Sequence, residues 1–505
     1  MAHESTGQYD VIIVGGGING AVSAARLSAS GIKVLLLEAG DYASTTSQES
    51  SNLVWGGIKY MQSYEFGLVY KLCRSRNRLL TAYPNRIREI GFLASIGPTA
   101  PFNRFMGLMG SLLYWGIGAF RTHAPRVFGP RAAENQEPSL LPGRAALEYF
   151  DAYLPDNDSR FVWEFIATAK RLGADCRNYH RVTDAKFDGG WNVQFTDART
   201  GETGSASAKV LVNATGPFAN LTSDDFGLKN KSRLALSKGV HLVVPKIHNS
   251  DRVLAFWDEQ GRMFYVLPMN DRSMIGTTDT RVNAATKEVT DEDRDFLLRQ
   301  INQEMNLAKP LTASDIIAER SGVRPLVTNG GNSDQIDWHK LSRKHVVELD
   351  SARKAVTLFG GKLTDCLNVG EEVFAAVSKL GVKTASQKTL KWFGEESDTK
   401  RSEFMAVATD VLPKSPDSKS IAGGIWRRHG SRGLQIIDAI RVDSSAANPV
   451  FAGLDICAAE IDYVLANEDV ATREDLLRRR LPIAMSRSRA EIEGNGPLNQ
   501  RLAGL

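Results

Sequence analysis

Gly15, Gly17 and Gly20 stand at the spacing GxGxxG, and Glu38 follows eighteen residues after the third of them. Residues of these types at this spacing can hold a dinucleotide. The first glycine permits a tight turn, the second lets the backbone approach a pyrophosphate, and the third lets a helix pack closely on a strand. The helix N-terminus adds free N–H groups and partial positive charge, and the acid can reach ribose hydroxyls. Three isolated side chains could join a redox site. His241, in KGVHLVVP, can titrate near neutrality, although a lone strand histidine is more often a satisfied core residue. Arg324, in SGVRPL, precedes a proline that biases it toward extended backbone, and Lys362 follows Gly360–Gly361. Taken singly, the arginine reads as a surface ion pair and the lysine as a loop charge. A further pair, Gly56–Gly57 in SSNLVWGGIKYMQ, marks a bend or a close approach, with Lys59 and Tyr60 directly after it.

These residues need elements to position them. YDVIIV (9–14) is a continuous apolar run, hence a buried parallel strand; AVSAARLSAS has helical spacing; IKVLLLE is a second strand ending at Glu38. This β-α-β frame makes the glycine fingerprint specific for a dinucleotide, but it does not separate FAD from NAD. A nicotinamide domain would continue with strand-helix repeats. Here a long insertion precedes the returning strand KVLVNATG, which favours FAD. Between 235 and 280, VHLVVP, RMFYVLP and SMIGTTD alternate as in an antiparallel sheet. VELDSARKAVTLFGG reads as two strands around a turn, and DCLNVGEEVFAAVSKL as a helix. Beyond 386, WFGEESDTKRSE and PKSPDSKS are loop-like, and the remainder is mostly helical. The predicted fold class is α/β plus α. A discontinuous Rossmann-type FAD-binding domain (1–70, 145–232, 315–385) carries an inserted antiparallel-sheet substrate domain (71–144, 233–314), and a helical domain follows (386–505).

Composition excludes several classes. Lysine plus arginine (62) barely exceed aspartate plus glutamate (58), so global charge offers no argument for nucleic acid. Cys73, Cys176, Cys366 and Cys457 lie far apart with no CxxC pair, which excludes a zinc ribbon or disulfide framework; no metal site is expected. The N-terminus, MAHESTGQYD, lacks an apolar signal region, so the cytoplasm is the default expectation. The uncharged run FMGLMGSLLYWGIGAF (105–120) is short of the ~20 residues that cross a bilayer. It reads first as a buried or cap helix, and second as a membrane-surface contact. Arg473, Arg478, Arg479, Arg480, Arg487 and Arg489 form either a lipid-facing patch, worth ~1 kcal/mol per arginine, or a solvated helix face.

Jointly, YDVIIVGGGINGA, TTSQESSNLVWGGIKYMQSYEFGLV, NATGPFA, KGVHLVVP, YVLPMNDRSMIGTTDT, SGVRPL and FGGKLT resemble the FAD-dependent glycerol-3-phosphate dehydrogenases, among the D-amino-acid-oxidase-like flavoproteins. They follow the family's order over residues 9–365, and the C-terminal GSRGLQII and AAEIDYVLANEDVATREDLLRRR resemble its helical domain. The resemblance implies oxidation of sn-glycerol 3-phosphate to dihydroxyacetone phosphate by hydride transfer to FAD. Electrons would pass to quinone, with peripheral attachment at the inner face of the membrane, or to oxygen; a homodimer is compatible with it. It also implies roles for residues. His241 takes the active-site histidine position, Arg324 faces substrate, and Lys362 stands beside the flavin to offset its negative charge when reduced. Lys59 and Tyr60 occupy the Arg-Tyr positions of the substrate pocket, with Trp55 and Asn52 nearby. Cofactor contacts extend from Gly15, Gly17, Gly20 and Glu38 to Ile18, Asn19, Thr46, Ser47, Ser51, Gly56, Val182, Thr215, Gly216, Gly361, Leu363 and Thr364.

The sequence departs from the family at two places. SSKLIHGGLRY becomes SSNLVWGGIKY, which loses the lysine at Asn52, replaces histidine by Trp55 and puts Lys59 where an arginine's two-point grip would be. After GGKLT, the usual Thr-Tyr-Arg becomes Asp365, Cys366 and Leu367. Both changes are expected near the substrate pocket. They leave open a related flavoenzyme acting on another hydroxy compound or an amine, while retention of His241, Arg324 and Lys362 argues against a flavoprotein without turnover.

Overall fold

The computed structural model describes residues 4–258, 261–328, 344–384, 390–414 and 417–505. Two sheets dominate it. In the first, the strand Glu4–Val14 pairs in parallel with Val34–Leu37 on one side and with Thr203–Asn213 on the other. Asp175–Arg177 and Ala355–Phe359 extend it in parallel, and Val346–Asp350 closes one edge antiparallel. The apolar run of the opening strand serves both faces of this sheet. Val11 and Ile13 pack under Ile18–Ser28, Asp158–Arg171 and Cys366–Lys379, whereas Ile12 and Val14 meet Trp191, Val193 and Phe195 of a hairpin on the far side. Burial on both faces is why the sequence shows no alternation there.

The second sheet is antiparallel about Arg233–Pro245, which pairs with Arg272–Gly276, Thr280–Val282 and Ala318–Thr328. Period two decides its faces. Val240, Leu242 and Val244 pack with Leu297, Leu298 and Ile301 of the helix Asp291–Glu304. His241 therefore points to the opposite face, the one Val243 shares with Tyr265 and Trp55. Three strands belong to this sheet that the sequence boundaries put with the cofactor domain: Leu53–Val54, Ala145–Tyr153 and Ala318–Thr328. Their apolar patterns are the same in either sheet, and long-range pairing alone assigns them.

Two surface expectations change. In the helix Arg104–Ile117, Gly107, Ser111 and Tyr114 are the buried residues, while Phe105, Met106, Met109 and Leu113 are each more than half exposed. Small residues let the helix lie close to the sheet, and its large side chains face outward; it is not a buried helix. The C-terminal arginines form neither a lipid patch nor a solvated face. Arg479 and Arg480 both clasp the buried Asp41, at 2.6 Å and 2.8 Å, Arg478 pairs with Glu49 at 2.8 Å, and Arg487 pairs with Asp271 at 2.9 Å. Arg473 bonds the Asn499 side chain, and of the six only Arg489 is exposed, paired with Glu493. DTKRSE is not a loop; Ser397 caps a helix, Asp398–Val411, through its side chain.

Candidate active site

The strand-turn-helix at Val14–Gly20 opens onto a cavity of about 590 Å³. Gly15 has φ +108°, and a Cβ there would stand 2.6 Å from the Ala214 carbonyl oxygen. At Gly20 a Cβ would collide with the Gly15 carbonyl oxygen, so the third glycine serves helix–strand approach. Glu38 accepts hydrogen bonds from the Gly16 and Gly40 N–H groups at 2.6 Å and 2.8 Å, beside the same cavity. Burial raises its carboxyl above the usual range, with those two amides and nearby groups opposing or adding to it. Of the residues expected at the cofactor, Ile18, Asn19, Thr46, Ser47, Val182, Thr215, Gly216 and Gly361 line the cavity with Gly15, Gly17 and Glu38. Asn19 Oδ1 is buried with no partner among the described residues, and thus presents a free acceptor at the helix start. A bare backbone at Gly15, a helix N-terminus, a ribose-reaching acid and an orphaned amide oxygen together suit a bound dinucleotide. His180, Asp184, Phe218 and Phe226 also line it; no sequence signal marked them, because their strands and loops arrive from elsewhere in the chain.

A second cavity, about 290 Å³, meets the first at Ile18, Thr46, Ser47, Pro325 and Gly361. Trp55, Lys59, Tyr60, His241, Arg324, Lys362, Leu363 and Thr364 line it, so the principal predicted residues converge. Sheet register brings two of them together. Ser237 lies opposite Arg324, and His241 opposite Arg320, on adjacent antiparallel strands. A Cβ at Gly239 between them would stand 2.3 Å from Arg324 Nη2, so the bare backbone leaves room for the guanidinium in this position. The guanidinium donates to Thr277 Oγ1 at 3.0 Å and pairs with Asp279 at 3.2 Å; Ser237 donates to the same Asp279. Lys362 Nζ donates to Tyr60 Oη at 2.7 Å and sits 4.0 Å from the tyrosine ring centroid. Thr364 Oγ1 donates to the Trp55 carbonyl oxygen at 3.3 Å. His241 is fully buried with Nε2 2.8 Å from Ser51 Oγ, and Nδ1 has no partner among the described residues. Burial, and then the positive charges of Arg320 and Arg324, hold its pKa well below 6.5, so the ring is neutral. Arg262, Tyr265, Thr277 and Asp279 also line it. They fall in the motifs RMFYVLP and GTTDT, whose order was legible but whose inward-facing members were not.

Three placements differ from expectation. Gly56 lines neither cavity; its N–H donates to Asp151 at 3.1 Å, and a Cβ would stand 2.2 Å from the Tyr114 hydroxyl. The close approach is made by the buried Asp151–Arg76–Tyr114 cluster, not by the cofactor. Ser51, Lys362, Leu363 and Thr364, all expected at the cofactor, line the second cavity and not the first. Among the departures from the family pattern, only Trp55 and Lys59 reach the cavity. Asn52 is buried, in the left-handed region at φ 56°, and accepts from Arg320 Nη1 at 3.3 Å. Leu367 packs into the core beneath the first sheet, and Asp365 accepts from Ser75 at 2.7 Å and pairs with His345 at 3.2 Å. Positions 52 and 365–367 therefore take no cation away from this cavity.

Residues 10–361 match the family of FAD dependent oxidoreductases. The chain is 31% identical over 485 residues to the aerobic glycerol-3-phosphate dehydrogenase of Escherichia coli (strain K12), covering 93% of each chain. It belongs to the FAD-dependent glycerol-3-phosphate dehydrogenase family. Within this family it is also 29% identical, over 487 residues and 93% of each chain, to the D-erythritol 1-phosphate dehydrogenase of Brucella abortus (strain 2308). The fold matches that of the glycerol-3-phosphate dehydrogenase from Bacillus halodurans complexed with FAD, with a TM-score of 0.74 at 24% identity over 98% of this chain and 90% of that one. The protein is thus an FAD-dependent oxidoreductase, and the lining of the first cavity suits the dinucleotide of FAD.

Proposed function

We propose that this flavoenzyme oxidises sn-glycerol 3-phosphate to dihydroxyacetone phosphate and passes the electrons to a membrane quinone. The observation that carries the reading is the convergence of a neutral buried histidine with Lys59, Arg324 and Lys362 around one cavity at its junction with the cofactor cavity. Bound FAD supplies a two-electron oxidant that accepts hydride from the carbinol carbon. The chain's own residues do the rest. Lys59 and Arg324 offer cationic donors to the phosphate, and Asp279 fixes the guanidinium plane of Arg324. His241 takes the hydroxyl proton, a contribution of typically ~10²–10⁴ in rate. With Trp55 where the family pattern carries histidine, His241 is the one imidazole lining this cavity among the described residues. Lys362, on the turn made by Gly360 and Gly361, places positive charge where the two cavities meet.

The quinone assignment is supported by the outward apolar face of Arg104–Ile117, flanked by exposed Arg104, Arg121, Arg126 and Arg131. No helix of the described residues is long and apolar enough to cross a membrane. A bilayer surface would cover this face without being spanned. Trp55 and Lys59 favour one second reading, a longer polyol phosphate as substrate, which the kinship to an erythritol-phosphate enzyme supports.

Anaerobic bleaching of the bound flavin tests substrate and acceptor. Bleaching by sn-glycerol 3-phosphate at low millimolar concentration, but not by amino acids or lactate, is the expected result; reoxidation should be faster with a quinone analogue than with oxygen. Faster bleaching by erythritol phosphate selects the second reading, and bleaching only by an amine overturns both.

A further inference from the structure

We infer that Ser51 relays the substrate's hydroxyl proton to His241, so that the proton acceptor is a serine–histidine pair. The inference rests on the reading of His241 as the base. Ser51 and His241 line the same cavity, and Ser51 Oγ lies 2.8 Å from Nε2. That hydroxyl is the ring's one polar contact among the described residues, because Nδ1 has none. One edge of the ring lies against Gly276. A Cβ on Gly276 would stand 2.5 Å from its Cδ2, so the imidazole is seated against bare backbone.

The backbone on both sides of Ser51 is held independently of any cofactor. Ser50 N–H donates to Asp158 at 2.7 Å, and Asn52 N–H donates to Ser50 Oγ at 3.1 Å. Asn52 sits in the left-handed region, which asparagine tolerates better than the lysine of the family pattern. Its side-chain oxygen accepts from Arg320, and its carbonyl accepts from Leu154 N–H at 2.8 Å. A two-residue frame anchored to Asp158, Arg320 and Leu154 thus holds the backbone from which the Ser51 hydroxyl reaches Nε2. The anchoring suits a hydroxyl that must stay within hydrogen-bond reach of its base.

In the step, the substrate O–H bond breaks and its proton passes to Ser51 Oγ. The Ser51 O–H bond breaks in turn, and that proton passes to Nε2 of the Nδ1–H tautomer. FAD, when bound, would supply the two-electron acceptor for the carbinol hydride, so that with the C=O bond formed the substrate would have lost one hydride and one proton. Charged groups facing this pair are Glu49, Lys59, Arg262, Asp279, Arg324 and Lys362 around the cavity, with Arg320 buried beside the ring. Arg320 and Arg324 disfavour a lasting imidazolium, so the proton moves on to solvent.

Stopped-flow reduction of the FAD-loaded enzyme by sn-glycerol 3-phosphate across pH tests the relay with S51A, S51T and H241Q. S51A is expected to keep its flavin, lower the limiting rate about 10²-fold and lose the acid limb due to His241, while S51T restores most of the rate. Three outcomes overturn the relay: S51A within about threefold of the parent while H241Q is slow, S51A slow with its acid limb unchanged, or S51A losing its flavin. If H241Q is as fast as the parent, the reading of His241 itself falls, and the relay falls with it.

Discussion

His241 owes its protonation state to its surroundings. Burial comes first, and then Arg320 and Arg324, which together keep the ring neutral well below pH 6.5. Because the folded pKa is depressed, the neutral base persists as pH falls through 6.5 and is lost only as pH passes the folded value. The limiting rate of flavin reduction is therefore expected to stay level from pH 8 to about 6.5 and to decline only at more acid pH, as a pH series of stopped-flow traces will show. An inflection at or above 6.5 would mean that another group titrates in the reaction. The same shift enters stability: the unfolded chain takes up a proton near 6.5 that the native state refuses, so this residue favours folding above 6.5 and progressively less below it. Ser51, Gly239 and Gly276 illustrate the other half of the residue scale, where a hydroxyl or a missing Cβ matters only because of one neighbour.

At the scale of elements, the π-helical segment Asp475–Arg480 inserts three consecutive arginines behind the loop that carries Thr46 and Ser47. Asp41 is fully buried and answers two of those guanidiniums, while Gln48 accepts from Arg479 at 3.1 Å. Removing the carboxylate leaves two buried cations short of a partner, a change that costs about 3–5 kcal/mol when a buried pair is broken. Asp41→Asn is expected to lower stability by about that amount in urea denaturation and to release FAD more readily, since the loop lines the cofactor cavity. A loss under about 1 kcal/mol would show that Arg479 and Arg480 draw their support from Asp475, Glu474 and the Glu468 carbonyl instead. The helix Arg104–Ile117 inverts ordinary amphipathicity for a related reason: the sheet beneath it admits only small residues and Tyr114.

For the whole molecule, that inversion gives a directional apolar surface. Phe105, Met109 and Leu113 lie on the exposed face, and four arginines stand in the flanking segments. Replacing these three by serine is expected to abolish co-sedimentation with anionic vesicles, while anaerobic reduction of the soluble enzyme by substrate stays within twofold. Undiminished sedimentation would move the contact elsewhere.

The dinucleotide frame, the antiparallel sheet and the helical tail were readable in sequence because apolar period and glycine spacing are local. YDVIIV is buried on both faces of its sheet, and VHLVVP is too, with Val240, Leu242 and Val244 on one face and His241 and Val243 on the other. What the tertiary structure decided depends on partners distant in the chain. It placed Ala145–Tyr153 and Ala318–Thr328 in the second sheet, turned Asn52 and Leu367 away from the cavity, and set Gly56 against Tyr114. It also buried a run of arginines that composition suggested for the surface, because Asp41 and Glu49 wait more than four hundred residues upstream. A sequence shows which residue is charged; only the fold shows which charge faces it, and that neighbour determines both the burial and the chemistry of the group.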